Sequence, residues 1–136
     1  MKSSGLIYHI AIESEFRRLM INGEYCPPLF KKEGFIHCTE LDSTLLKVAK
    51  DYFSHVNEAI IVLEINTTAV SAEIKFEAPV PIAGGGREHL ETGLLFPHIY
   101  GPLNTNAIKG IGRLNKVQGS FTWPKKFISF QNFFFS

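Results

Sequence analysis

The sequence predicts a single α+β domain, and three observations lead there. Residues 6–12 and 59–65 are nearly unbroken apolar runs of the kind that covered strands make, and residues 73–77 alternate charged and apolar side chains as a strand with one wet face does. Two stretches, 13–22 and 40–53, carry the helical period instead. The chain has 136 residues, 45% of them hydrophobic, which is enough for one core and too few for two ordinary domains.

In the first strand Leu6, Tyr8, Ile10 and Ile12 share one face and Ile7, His9 and Ala11 the other, so a central strand carries one polar group. Phe16, Leu19 and Met20 then follow the i, i+3, i+4 rule, and Asn22-Gly23 reads as a helix stop. Residues 24–32, with Pro27-Pro28, predict a loop. Phe35-Ile36-His37-Cys38 reads as a covered strand that runs into a helix, with Thr39 and Asp42 at capping-box spacing, so the helix is expected from Thr39 or Glu40 to Phe53. Its unpaired first-turn N–H groups would then lie one or two residues from His37 and favour an anion.

Strands at 59–65 and 73–77 are expected to lie near each other across the 66–71 turn. Gly84-Gly85-Gly86-Arg87 opens a polar loop to Gly93. Pro97 within Phe96-Pro97-His98-Ile99-Tyr100 points to a strand start, bulge or edge rather than a central strand. Residues 107–114 read as a further strand. Phe121, Trp123, Phe127, Ile128, Phe130 and Phe133 to Phe135 then form an aromatic tail that must be buried, in one or two extended pieces over the sheet or across to a second chain as a homodimer through 121–135.

Composition narrows function. Fourteen basic and thirteen acidic residues give a net charge of +1, which argues against nucleic-acid binding. No apolar run approaches a membrane span, no signal peptide is visible, and Cys26 and Cys38 show no finger or redox spacing, so a cytoplasmic protein with free thiols is expected. His9, His37 and His98 each interrupt an apolar run. A zinc site with Cys38 would need every ligand to come from a different element, and no metal is expected. Cys38, on the opposite face of its strand from His37, reads as a small buried hydrophobe rather than a nucleophile. Arg87 beside the glycines has the chemistry to clamp a phosphate.

Leu6-Ile7-Tyr8-His9-Ile10, Gly23-Glu24-Tyr25, Glu33-Gly34-Phe35-Ile36-His37-Cys38-Thr39, Lys75-Phe76-Glu77 and Phe96-Pro97-His98-Ile99-Tyr100-Gly101-Pro102-Leu103 resemble, in order and spacing, the bacterial domain-of-unknown-function family 952 (DUF952). The resemblance spans about 6–114 and leaves 115–136 as an extension. That family is placed in the ADP-ribosyltransferase-like superfamily, which implies a split, mostly antiparallel sheet flanked by two helices, with a cleft for NAD. His9 looks like the first-strand histidine that holds a ribose of NAD, and His37 like the residue set against the nicotinamide half. Leu94 or Leu95 stands where the superfamily has its catalytic Glu, and the carboxylates at hand are Glu77, Glu88 and Glu91. The expected site therefore has His37 and His98 as catalytic residues and His9, Thr39, Arg87 and Tyr100 as binding residues for NAD or another nucleotide bearing ADP-ribose or phosphate. The rival expectation is a ligand sensor or interaction module without turnover.

Overall fold

The computed structural model describes residues 5–79 and 94–135. Strand β1 (Leu6–Ile12) runs directly into α1 (Glu13–Leu19). The helix ends three residues earlier than its period suggests, because Met20 already has an extended backbone. Strands β2 (Met20–Ile21) and β3 (Glu24–Tyr25) follow, joined by Asn22-Gly23 with φ of 53° and 77°. That dipeptide is thus a two-residue hairpin turn and not a helix stop: left-handed φ at both positions matches the twist of the flanking strands. The proline loop folds into a single turn, α2 (Phe30–Glu33), closed by Gly34 at φ 86°, whose N–H donates to the Phe30 carbonyl at 2.7 Å. Strand β4 (Ile36–His37) comes next, then α3 (Asp42–Phe53).

The capping box between Thr39 and Asp42 is not formed. Thr39 exchanges both backbone hydrogen bonds with Tyr8 at 2.8 Å, which keeps the chain extended, and α3 starts at Asp42 with Leu41 before it and no side-chain cap. Its first turn therefore begins five residues after His37 and not one or two, so the helix start is not placed directly after that histidine as expected.

The remaining elements are β5 (Ile60–Asn66), β6 (Glu73–Glu77), β7 (Phe96–Tyr100), β8 (Leu103–Asn104), β9 (Ile108–Arg113), the hairpin β10 (Asn115–Val117) and β11 (Ser120–Thr122), and α4 (Phe130–Phe134). The architecture is α+β with antiparallel strand pairs throughout. Among the described residues there are four α-helices where two were expected. Strands assemble as β1-β5-β9, β4-β7-β6 and β2-β3-β8, with β10-β11 apart. β5 and β6, expected as neighbours, fall in different sheets, since the 3₁₀ turn at Thr67–Ala69 carries the chain from one to the other.

β5 is buried on both faces. On one, Ile61, Leu63 and Ile65 pack with Ile7, Ile36, Ile99, Phe16 and Tyr25 between the sheets; on the other, Ile60 and Val62 meet Leu45 and Ala49 of α3 and Phe121. No helix among the described residues is long and apolar enough to cross a membrane.

β7 is the central strand of its sheet although it carries Pro97. The Pro97 carbonyl accepts from Cys38 N–H at 3.0 Å, so the proline nitrogen also faces the β4 side, and the ladder to β6 runs unbroken from Glu73 to Glu77. On the β4 side Pro97 has no N–H to return. The β4–β7 ladder ends there, and the next residue, Thr39, pairs with β1. The sheet is thereby split between β4 and β1. His9 bridges the gap, its Nδ1–H donating to the His37 carbonyl at 2.7 Å.

The tail closes over the far edge of the first sheet. Ile128 pairs with Ile111, and Trp123 sits edge-on to Tyr8 with ring centroids 5.1 Å apart. This close approach requires glycines on β9: a Cβ on Gly112 would fall 2.6 Å from the Pro124 Cβ, and one on Gly110 3.1 Å from the Phe127 Cβ. Ser129 caps α4 through Asn132 N–H, and Arg17 donates to the Phe133 and Phe134 carbonyls with its guanidinium 4.3 Å from the Phe133 ring. Extended pieces were expected here; the closing helix was not.

Two outcomes test this arrangement. Phe133 is 1% exposed and Phe135 80% exposed, so Phe133→Ala should cost about 3–5 kcal/mol in chemical denaturation and Phe135→Ala less than about 0.5 kcal/mol. Equal small losses would mean that the tail does not pack as described. Burial also lowers the His9 pKa from 6.5 to about 4. The unfolded chain binds that proton first as pH falls, so stability should drop between pH 6.5 and 4, by on the order of 3 kcal/mol in all. His9→Gln should flatten the denaturation free energy over that window by one proton's worth of slope.

Candidate functional site

The split opens into a cleft of about 400 Å³. One wall is the strand pair itself, with Tyr8 and His9 from β1 and His37, Cys38 and Thr39 from β4 and its continuation. Pro28, Phe30 and Glu33 close a second side, from the proline segment and α2. Val48, Tyr52 and Phe53 of α3 close the third. Each element reaches the cleft for a local reason. The apolar stripe of α3 faces β1, and the left-handed Gly34 turns the chain so that α2 lies back beside β4.

Two polar groups hold His9 at the floor. Nδ1–H is committed to the His37 carbonyl, which leaves Nε2 as an acceptor for the Tyr25 hydroxyl at 3.5 Å. Burial pushes the Tyr25 hydroxyl pKa up and the His9 pKa down, so both groups are neutral near pH 7 and the floor carries no charge. Above it, His37 Nε2 lies 2.9 Å from Glu33 Oε1, with 19% and 10% of the two side chains exposed. Thr39 is 6% exposed, and its hydroxyl is the one buried side-chain polar atom among the described residues that has no hydrogen-bond partner.

His98 and Tyr100 stand one strand away on the same sheet face. His37 and His98 are register partners with ring centroids 5.4 Å apart. His98 is fully buried: Phe35, which lines the cleft, stacks on it at 4.2 Å. Its Nδ1–H donates to Glu77 Oε1 at 2.8 Å, and the Tyr100 hydroxyl donates to the same oxygen at 2.6 Å. These bonds, the tyrosine's first, hold Glu77 below the usual carboxylate range, and the carboxylate pushes Tyr100 up to about 12.

Of the residues expected from sequence, His9, His37 and Thr39 therefore line the cleft. His98 and Tyr100 form a hydrogen-bonded cluster with Glu77 behind Phe35, outside its lining. Arg87, Glu88 and Glu91 lie outside the described residues. Leu94 and Leu95 bring no carboxylate, and those of the described lining are Glu15 and Glu33. Sequence reasoning missed Glu33, Tyr25 and Phe35. Glu33 had a readable signal, standing four residues before His37 with a glycine between them to reverse the chain. Among the described residues no group of three or more His, Cys, Asp or Glu side chains is placed to hold a metal ion, and the cleft lining contains no Lys or Arg.

The fold is similar to that of the Caulobacter crescentus protein CC0527, a crystal structure with a TM-score of 0.63 and 23% identity that covers 86% of this chain and 93% of that one. A double methionine variant of the same protein gives 0.62 at the same identity and coverage. At this identity the likeness concerns the fold. No curated protein matches the chain significantly. The model of a family described as protein of unknown function, DUF952, matches residues 10–111, three quarters of the sequence, from the last residues of β1 into β9, so the chain belongs to the DUF952 family.

Proposed function

We propose that the cleft binds NAD, or another nucleotide that carries ADP-ribose, with a ribose and its attached ring held between β1, β4 and α3. The observation that carries this reading is the Thr39 hydroxyl, buried in the cleft wall without a partner. Leaving such a group unsatisfied costs about 1–3 kcal/mol, which a χ1 rotation that turns the hydroxyl into the cleft, toward a bound hydroxyl or amide, would recover. The surroundings narrow the ligand. Phe35, Tyr52 and Phe53 offer flat apolar surface for a planar ring, and His9 and His37 offer neighbouring polar edges suited to ribose hydroxyls. About 400 Å³ accommodates a nucleoside rather than a whole dinucleotide. With no Lys or Arg in the described lining, the diphosphate lies toward the mouth.

The ADP-ribosyltransferase-like resemblance supports the same ligand, since its two histidine motifs fall at His9 and His37 on the two sides of the split. His98, behind Phe35, then acts on the site by supporting the cleft wall rather than by touching the ligand.

Calorimetry with NAD and ADP-ribose tests the reading. Thr39→Val keeps the shape and removes the hydroxyl, so affinity should fall roughly 2- to 12-fold while stability rises by about 1 kcal/mol. Absence of binding by both ligands to the wild-type protein overturns the proposal, as does a Thr39→Val variant with unchanged affinity for each.

A further inference from the structure

Resting on the NAD reading, we infer that Glu33 and His37 form a carboxylate–imidazole pair that makes the cleft a hydrolytic site, with water as the acceptor of the ADP-ribosyl group. The pair is built from two elements. The closing turn of α2 carries Glu33, the left-handed Gly34 reverses the chain, and β4 presents His37 with Nε2 at 2.9 Å from Glu33 Oε1. Both side chains line the cleft and are largely withdrawn from solvent, where a carboxylate orients an imidazole and balances the charge that it gains. His9 does not fill this role, because burial keeps it neutral and its ring nitrogens already serve the His37 carbonyl and the Tyr25 hydroxyl.

The step balances as follows. The bond between the anomeric carbon and the nicotinamide nitrogen breaks, and its electron pair leaves with the ring, which becomes neutral nicotinamide. The water oxygen forms the new bond to the anomeric carbon. One water proton goes to the His37 imidazole, whose charge the Glu33 carboxylate compensates, and passes from there to solvent. Products are ADP-ribose, nicotinamide and one proton. His37 is the catalytic residue in this assignment, and Glu33 is a positioning residue that acts through it.

Nicotinamide release from NAD, read by chromatography beside calorimetric binding, tests the pair. Glu33→Gln retains an amide oxygen for His37, so NAD affinity should stay within about threefold, while release should fall on the order of 100-fold. Glu33→Asp keeps the charge on a shorter arm and should recover part of the rate; it carries the comparison where the glutamine variant does not fold. Wild-type release by Glu33→Gln, or a Glu33→Asp variant that releases no faster than Glu33→Gln, overturns the inference. A wild-type protein that binds NAD and releases no nicotinamide overturns it as well and leaves the binding reading standing, whereas absence of NAD binding removes both.

Discussion

A proline in the middle of a sheet governs this molecule. Pro97 accepts the Cys38 N–H but has none to give back, so the β4–β7 ladder stops and Thr39 is free to pair with Tyr8. Had the ladder continued, β4 would have remained on β7, and the gap between β4 and β1 would have no reason to exist. The same residue leaves the β6 side intact, because both its backbone polar positions face β4. One missing donor thus decides where a three-stranded unit ends and where a cleft begins.

A gap between strands exposes backbone, and the structure covers it with a side chain whose polarity matches. His9 spans from β1 to the His37 carbonyl, and Tyr25 satisfies its other nitrogen. Burial makes the ring neutral, which suits a position among Ile7, Phe16 and Leu63 where an unpaired charge would be costly. The cleft floor is therefore part of the core, and folding and site geometry share one hydrogen-bond system. Above the floor the chemistry changes, with Glu33 and His37 paired at the wall and the Thr39 hydroxyl left without a partner.

The rear of the first sheet depends on the C-terminal segment. Gly110 and Gly112 keep β9 flat enough for Phe127 and Pro124 to lie against it, and Phe133 enters the main core from α4. Trp123 reaches Tyr8, whose strand carries His9, so the tail buttresses the strand that forms one side of the cleft. Glu13 ties this together at the end of β1 by accepting from both Arg17 and Arg113, while the two guanidinium groups lie against the Phe133 ring.

The sequence by itself determined what local physics controls. Apolar runs marked β1 and β5, alternation marked β6, the apolar stripe marked α3, and three histidines in apolar runs marked residues that folding alone would not select; His9 and His37 do flank the cleft. Tertiary structure decided the rest. Asn22-Gly23 suits a helix stop and a hairpin equally, and only the β3 partner selects the hairpin. Thr39 fits a capping box by spacing, but the bridge to Tyr8, thirty-one residues earlier, holds it extended and strands its hydroxyl. Glu33 looks like one more charge in a polar segment until the Gly34 reversal brings it to His37. Pro97 argued against a central strand because the rule counts a lost hydrogen bond without knowing which neighbour loses it. Each of these depends on a partner distant in the chain, and a pairing between distant segments leaves no period in the residues that make it.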